Sequence, residues 1–245
     1  MAKLHTYAGT KPHKVVSPAV WLKARTAFLK KEKKFSKLRD ALSKERRALP
    51  WVKVAKDYTF DTTEGKKSLA ELFAGKHQLV IYQFMLGPDW DEGCRGCSLE
   101  ADCFNLLPAH LRARDTTLVA VSRAPLNKIL AFKKRMGWDF TWVSSFNTDY
   151  NYDYQASATP EEIKAGKMTY NYRTITPFAD GELPGVSVFY KDGQDIYHTY
   201  ATYGRGLDMF MTSNHYLDLT PKGRDENPAW DNPAQWLRLR DEYKS

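Results

Sequence analysis

The chain has 245 residues, of which 42% are hydrophobic and 13% aromatic, and its formal net charge is +8. These proportions favour a folded core and exclude a wholly disordered chain. No run of about 18 apolar residues occurs, and the N-terminus lacks the apolar segment of a secretory signal, so the sequence predicts neither a membrane span nor export. Three cysteines are too few for a disulfide framework, and we expect a reducing, cytoplasmic location.

The basic residues are concentrated near the N-terminus. Residues 1–56 contain 16 Lys and Arg against 3 Asp and Glu, so the rest of the chain has a net charge of −5. Such an arm could bind nucleic acid through charge alone. It shows neither aromatic residues interleaved with the basic ones nor a recognition motif, which favours a solvated helix face, and we expect no nucleic-acid partner.

A long helix is predicted to begin at Ser17–Pro18, a hydroxyl N-cap followed by a proline at the first helical position. It can run to about Leu49, because Pro50 stops it. Apolar residues recur along it at every seventh position and form one narrow stripe on a charged rod: Trp21, Phe28, Phe35, Leu42 and Leu49. Either the body of the protein or a second copy of the helix must cover this stripe.

The rest of the chain alternates strands with helices. Continuous apolar runs predict buried strands at 79–84, 116–122 and 140–145, with helices at about 97–107 and 124–137 between them. This order predicts an α/β fold with parallel strands and right-handed crossovers. Two further strands, 186–190 and 196–201, flank a turn at Asp192–Gly193 and form a hairpin. Several shorter features are also expected: a Tyr- and Asn-rich insertion at 146–182, a short helix after 204–206, a turn-rich tail and a last helical turn in "WLRLRDEY".

All three cysteines lie in "GPDWDEGCRGCSLEADCF", residues 87–104. Cys94 and Cys97 form a Cys-x-x-Cys pair directly after the first buried strand, where a helix begins. The free N–H groups of a helix N-terminus stabilise a thiolate, and Arg95 adds to this effect. Cys94 is therefore the expected nucleophile and Cys97, one turn further, the resolving thiol. Three acidic residues upstream oppose the effect: Asp89, Asp91 and Glu92.

Two other interpretations of the pair remain open. A structural zinc site usually needs a second pair of ligands, but Cys103 would point about 240° away from Cys97 on the helix, and His110 lies beyond Pro108. We therefore expect Cys103 to be a buried core thiol. The pair could also be unreactive.

The element order resembles the thioredoxin fold, in which a cis-proline begins the strand that faces the cysteines. "LPGVSVFYKDG" at 183–193 fits that strand and its turn. The resemblance implies that the Leu183–Pro184 bond is cis, that it lies against the cysteine pair, and that the insertion 146–182 comes just before it. The chain departs from thioredoxin because Gly96 replaces the proline between the cysteines. No Trp directly precedes Cys94, and Trp90 is the candidate to take its place.

Longer motifs narrow the resemblance. From about residue 15 to the C-terminus the chain resembles the thioredoxin-like family known as domain of unknown function 899, through "FMLGPDWDEGCRGCSLEAD", "PGVSVFYKDG", "HTYATYGRGLD" and "LDLTPKGRDE". Three parts are expected: a basic arm and helix (1–56), a thioredoxin-like domain (57–215) and a C-terminal extension packed on it (216–245).

The leading hypothesis is a thiol–disulfide oxidoreductase, or a peroxidase, that uses no cofactor beyond its own redox-active disulfide. Its partner would be a protein or small-molecule disulfide, or a peroxide. Arg95 and Arg123 are candidates to activate a peroxide, and Pro184 would shape the site. Four tyrosines of the insertion are candidates for lining it, with ordinary packing as the alternative: Tyr152, Tyr154, Tyr170 and Tyr172. The other hypothesis is a non-catalytic interaction or redox-sensing module, dimerised through the N-terminal helix.

Overall fold

The computed structural model describes residues 4–5, 12–226 and 233–243. The predictions for the first residues of the basic arm (1–3 and 6–11) and for the tail at 227–232 lie outside these residues. The chain divides into two compact units, one formed by Met1–Pro50 with Tyr216–Asp225 and the other by Trp51–His215 with Glu226–Ser245. None of the described helices is long and apolar enough to cross a lipid bilayer.

The first unit contains the long helix that the sequence predicted. A short antiparallel pair, β1 (Leu4–His5) and β2 (His13–Lys14), precedes α1 (Pro18–Arg47). The Ser17 side chain caps α1 by accepting the N–H of Val20 at 3.5 Å, as its position before Pro18 suggested. The helix ends two residues before the expected Leu49, and none of its residues is buried.

The second unit is built on an eight-stranded mixed sheet. Its strands, in chain order, are β3 (Val52–Lys53), β4 (Thr59–Thr62), β5 (Gly65–Ser68), β6 (Gln78–Gln83), β7 (Thr116–Ser122), β8 (Trp142–Ser144), β11 (Gly185–Asp192) and β12 (Asp195–Tyr203). Their spatial order is β3-β12-β11-β6-β7-β8-β4-β5. A separate hairpin in the insertion consists of β9 (Met168–Tyr170) and β10 (Arg173–Ile175).

Short helices connect and cover these strands. They are α2 (Leu69–Leu72), α3 (Arg95–Ala101), α4 (Pro108–Arg112), α5 (Leu126–Arg135), α6 (Tyr150–Asp153), α7 (Pro160–Ala165) and α8 (Thr212–Leu217). Short 3₁₀ segments occur at Phe104–Leu106, Gly204–Phe210, Pro233–Trp236 and Arg240–Glu242. The single helix expected at 97–107 is thus replaced by α3 and a 3₁₀ turn, because the chain turns after Ala101 and Pro108 starts a new helix.

The central elements have the thioredoxin-like arrangement that the sequence predicted. β6, β7 and β8 are parallel neighbours, joined by crossovers that contain α3 and α5. On the other side of β6, β11 runs antiparallel and pairs with β12 in a hairpin. The hairpin of β4 and β5 was not predicted, since its polar, lysine-rich sequence lacks the alternation of a half-buried strand.

The two faces of the sheet support two separate cores because side chains alternate along a strand. Along β6, Leu79 and Ile81 face one core together with Tyr150 and Tyr154, and Tyr82 faces the other. The second core contains residues of α3 and α5 and both residues of the cysteine pair: Cys94, Cys97, Ala101, Ile129 and Phe132. Leu239, close to the C-terminus, is fully buried in it. The cysteines therefore lie on one defined face of the sheet.

The chain enters β11 through a Leu183–Pro184 bond that is trans, as are all described peptide bonds. The prediction of a cis bond is wrong. Local contacts account for the observed path: the Leu183 N–H donates to the carbonyl of Ala156 at 2.9 Å, and the carbonyl of Pro184 accepts the hydroxyl of Tyr170 at 2.7 Å. Pro184 itself precedes the strand, which begins at Gly185.

Candidate active site

The loop after β6 places Cys94 at the start of α3. Its N–H donates to the carbonyl of Met85 at 3.0 Å, and its own carbonyl accepts the N–H and the hydroxyl of Ser98, both at 2.9 Å. Cys94 is the N-cap residue and is half-buried, whereas Cys97 is only 2% exposed. Both are free thiols. The N-terminal thiol is thus the more accessible of the two.

The two thiols lie within hydrogen-bonding reach of each other, and their pKa values move in opposite directions. The Cys97 thiol, followed by the N–H groups of Cys97 and Gly96, lowers the pKa of Cys94 to about 6, against burial and the charge of Asp180. Those N–H groups do not form a strict capping hydrogen bond, but they face the sulfur and stabilise its negative charge. Burial, followed by the proximity of Cys94, raises the pKa of Cys97 well above its ordinary value. The two shifts therefore favour a thiolate at Cys94 and a protonated thiol at Cys97.

Arg95 and Trp90 differ in their relation to this pair. The guanidinium of Arg95 is half-exposed and faces Glu242 at 3.7 Å, so it is directed to the C-terminal segment. Trp90 is partly buried against the core that holds the cysteines, and Lys128 donates to its carbonyl at 3.3 Å. Of the upstream carboxylates that were expected to oppose the thiolate, Glu92 is paired with Arg135.

A buried ion pair lies between β7 and the segment that leads into β11. Arg123 Nη2 lies 2.7 Å from Glu182 Oε1, and Glu182 also accepts the hydroxyl of Ser157 at 3.0 Å. The guanidinium stacks over the ring of Tyr152 at 5.0 Å and donates to its hydroxyl. Burial raises the pKa of Glu182, and Arg123 opposes this. Asp180, two residues earlier, is the carboxylate that acts on Cys94, so this segment approaches the thiol.

The four tyrosines proposed as lining residues do not lie together. Tyr154 packs in the core on the opposite face of the sheet from the cysteines, and is therefore a core residue. Tyr172 is 70% exposed and donates to the carbonyl of Ala201 at 3.2 Å. Tyr152 lies under Arg123. Tyr170 is buried and interacts electrostatically with Cys97. Its hydroxyl donates to the carbonyl of Pro184, before β11, and accepts the N–H of Gly204, after β12.

Two buried polar groups near Cys97 were missed by sequence reasoning. Tyr82 on β6 and Glu100 on α3 are each 1% exposed. Burial raises the pKa of Glu100 to about 8, and the nearby hydroxyl of Tyr82 opposes this rise. The signal was present in the spacing: Glu100 follows Cys97 by three residues on the same helix face, and Tyr82 alternates onto that face of the sheet.

The third cysteine is separate from the pair. Cys103 follows the end of α3 and is half-buried, so the expectation of a buried core thiol is wrong. α3 ends at Ala101, so Cys103 lies beyond the helix that carries the pair. Within the described part of the chain, no group of three or more His, Cys, Asp and Glu residues is arranged to hold a metal ion.

The sheet order, the helix that carries the cysteine pair and the adjoining hairpin define a thioredoxin-like protein. Residues 10–243 match the model of a family described as "Bacterial protein of unknown function (DUF899)". The chain belongs to this family, as its motifs predicted. A search of curated proteins finds no match.

Solved structures that resemble the chain include peroxiredoxins. Peroxidoxin BcpB from Mycobacterium tuberculosis is 16% identical, with a TM-score of 0.42 over 67% of this chain and 95% of that one. Peroxiredoxin Q from Xanthomonas campestris is 16% identical, with a TM-score of 0.40 over 63% and 87%. The mitochondrial 2-cys peroxiredoxin from Plasmodium falciparum is 15% identical, with a TM-score of 0.40 over 69% and 92%. Similarities this low transfer no activity, so the chemistry must be inferred from the site itself.

Proposed function

We propose that the protein is a thiol–disulfide oxidoreductase in which Cys94 is the nucleophile and Cys97 the resolving thiol. The observation that supports this most strongly is the asymmetry of the pair. Cys94 is half-buried with a pKa lowered to about 6, and Cys97 is buried with a raised pKa. A thiolate at neutral pH is the species that attacks disulfides, and a protonated neighbour does not compete with it for the substrate.

The reaction proceeds in two exchanges. The Cys94 thiolate attacks one sulfur of a substrate disulfide, which forms a mixed disulfide and releases the other half as a thiolate. Cys97 then loses its proton and attacks the Cys94 sulfur, which closes the Cys94–Cys97 disulfide and releases the second thiolate. The substrate is thereby reduced by two electrons. A dithiol reductant restores the pair, and a reducing cytoplasm, where we place the protein, supplies such reductants.

A peroxide substrate would leave the pair in the same oxidised state. In that case the Cys94 thiolate attacks a peroxide oxygen and becomes a sulfenic acid, with release of an alcohol or water. Cys97 condenses with it to the disulfide and releases water. The two substrate classes are distinguished by the atom that Cys94 attacks in the first step, a sulfur of a disulfide or an oxygen of a peroxide.

Reduction of insulin by dithiothreitol tests the proposal. The wild-type chain should accelerate the reduction, and Cys94→Ser should abolish the acceleration. Cys97→Ser should accumulate the mixed disulfide, and Cys103→Ser is the matched control that keeps full activity. Hydrogen peroxide consumption by the same four proteins measures the second substrate class. An equal rate for wild type and Cys94→Ser in both assays would refute the proposal and favour a non-catalytic module.

The N-terminal helix supports a second proposal, a homodimer formed through α1. Trp21, Phe28 and Phe35 are 58%, 54% and 66% exposed, although large apolar side chains at regular helical spacing are normally covered. Residues 18–47 carry 11 Lys and Arg against 3 Asp and Glu, so two such helices repel each other. Because salt screens that repulsion, the association should strengthen as ionic strength rises.

Sedimentation velocity at low and high salt measures this association. A double variant with Phe28→Ser and Phe35→Ser should remain a monomer at both. Lys30→Ser, on the opposite side of the helix from Trp21, should dimerise like the wild type. A wild-type chain that stays monomeric at high salt would refute the dimer.

A further inference from the structure

Behind the resolving thiol, two polar atoms are buried without a hydrogen-bond partner of normal geometry. They are the hydroxyl of Tyr82 and Oε2 of Glu100. Both residues are 1% exposed, and an unsatisfied polar group at such depth is costly to the folded state. The active-site chemistry described above assigns no role to either. Groups retained at such a cost call for a functional explanation.

The fold brings these two groups to Cys97 from two directions. Cys97 and Glu100 are three residues apart on α3 and are both buried on the face that packs against the sheet. Tyr82 lies on β6 and points to the same face. Its hydroxyl interacts with the Cys97 thiol and with the Glu100 carboxyl. The three groups therefore form a chain: thiol, hydroxyl, carboxyl.

Other titratable groups also interact with Cys97, Tyr82 and Glu100. Cys94 interacts electrostatically with Tyr82 and with Cys97, and Tyr170 interacts with Cys97. Cys97 must lose a proton to resolve the mixed disulfide, yet its burial keeps that proton in place. Burial also raises the pKa of Glu100 to about 8, so its carboxyl changes charge in the range where thiols do.

We propose that Tyr82 and Glu100 form a proton relay for Cys97, with Tyr82 in contact with the thiol and Glu100 positioned behind it as the final acceptor. This inference rests on the proposed function, because it concerns the resolving step. As Cys97 attacks the Cys94 sulfur, its proton passes to the oxygen of Tyr82 and the hydroxyl proton of Tyr82 passes to Glu100. Cys97 forms the new S–S bond, the bond from Cys94 to the substrate sulfur breaks, and the substrate leaves as a thiolate. When a reductant opens the disulfide, the protonated Glu100 returns the proton to Cys97 by the same path.

The direction of the pH dependence follows from the acceptor. Glu100 accepts a proton only when ionised, so resolution should accelerate as pH rises through about 8 and level off above it. The attack by Cys94, whose thiolate is formed by about pH 7, should not share this inflection. A purely structural role for Glu100 would leave the pH profile of resolution unchanged.

An aromatic disulfide that releases a coloured thiolate, dithiobis-nitrobenzoate, separates the two steps in one trace. The full chain with Cys103→Ser should release one thiolate when Cys94 reacts and a second when Cys97 resolves. In that background, Glu100→Gln should slow the second phase at least tenfold and remove its inflection near pH 8, with the first phase unchanged. Tyr82→Phe should do the same. Tyr150→Phe removes a fully buried hydroxyl on the opposite face of the sheet and should change neither phase.

A second phase that keeps its rate and pH profile in both Glu100→Gln and Tyr82→Phe would overturn the relay. A parent protein without any second phase would instead refute the proposed function. The relay is then tested without turnover, in a chain with Cys94→Ser and Cys103→Ser, where Cys97 is the remaining thiol. Adding Glu100→Gln should lower the pKa of Cys97 there, because it removes a neighbouring anion at high pH. An unchanged titration would show that the two groups are not coupled.

Discussion

The residue before the nucleophile, Gly93, has no room for a side chain. A β carbon there would lie 2.6 Å from ring carbons of both Phe84 and Phe132. Neither ring can move into solvent, since Phe84 is 1% and Phe132 4% exposed. Phe84 also packs against Trp142, with ring centroids 4.5 Å apart. Relief of the clash in Gly93→Ala must therefore come largely from the backbone that carries Cys94.

The expected cost has two parts. Insertion of a methyl group into a packed core should lower the free energy of unfolding by about 1–3 kcal/mol, or Tm by roughly 2–4 °C for each kcal/mol in a domain of this size. The backbone shift should also move Cys94 away from the Cys97 thiol and from the N–H groups of Cys97 and Gly96, which together lower its pKa. With a pKa of about 6, Cys94 is roughly 90% thiolate at pH 7, whereas at about 8.5 it would be roughly 3%. Full loss of the shift would thus reduce the thiolate about 30-fold.

Gly96→Ala is the matched control. The nearest atom to its added β carbon is Cys94 Sγ at 3.8 Å, an ordinary contact, and alanine is favoured over glycine in a helix by roughly 0.5–1 kcal/mol. This variant should gain stability and keep the pKa of Cys94. Urea unfolding and the pH dependence of iodoacetamide alkylation measure both effects, each in a Cys103→Ser background. If Gly93→Ala matches the parent in both, the packing reasoning is refuted.

Three further changes test contacts around the site. Arg123→Met leaves the buried Glu182 without its cationic partner, so the free energy of unfolding should fall by about 3 kcal/mol. Because the folded pKa of Glu182 then rises above its unfolded value, urea unfolding should show a larger loss of stability at pH 8 than at pH 5. Adding Glu182→Gln to the same chain should remove that difference. Tyr170→Phe loses a donor to the carbonyl of Pro184 and should cost about 1–3 kcal/mol in urea unfolding, and a loss near zero would contradict the role of this hydroxyl. Thr159→Ala removes the N-cap of α7, which should lower the free energy of unfolding by about 1 kcal/mol or make the insertion more sensitive to proteolysis. If neither effect appears, the cap does not stabilise the insertion.

Local signals predicted most of the fold. The strand at 116–122 was predicted at its observed bounds, and α1 began where Ser17 and Pro18 indicated, since both signals act over a few residues. The hairpin of β4 and β5 escaped because its position at the sheet edge, next to β8, is set by tertiary contacts and leaves little hydrophobic pattern. The sequence of the insertion shows no clear periodicity because its helices and strands are only three to six residues long.

The site was predicted only where its chemistry is local in sequence. The cysteine pair is visible in four residues, and so is the order of the two thiols along the helix. The contact of Arg123 with Glu182, by contrast, joins residues 59 positions apart, and no local pattern indicates it. The trans bond before Pro184 was missed for the same reason, because contacts from the insertion fix the path of the chain there.

Competition between the two thiols for an alkylating agent tests the account most directly. Limiting iodoacetamide is added to the reduced chain from pH 4 to 9, and the labelled cysteines are quantified by mass spectrometry. Cys94 should be labelled first, with a midpoint at about pH 6, while Cys97 stays unlabelled over the same range. A midpoint for Cys94 at about pH 8.5 or above, the value of an ordinary thiol, or faster labelling of Cys97, would contradict the account.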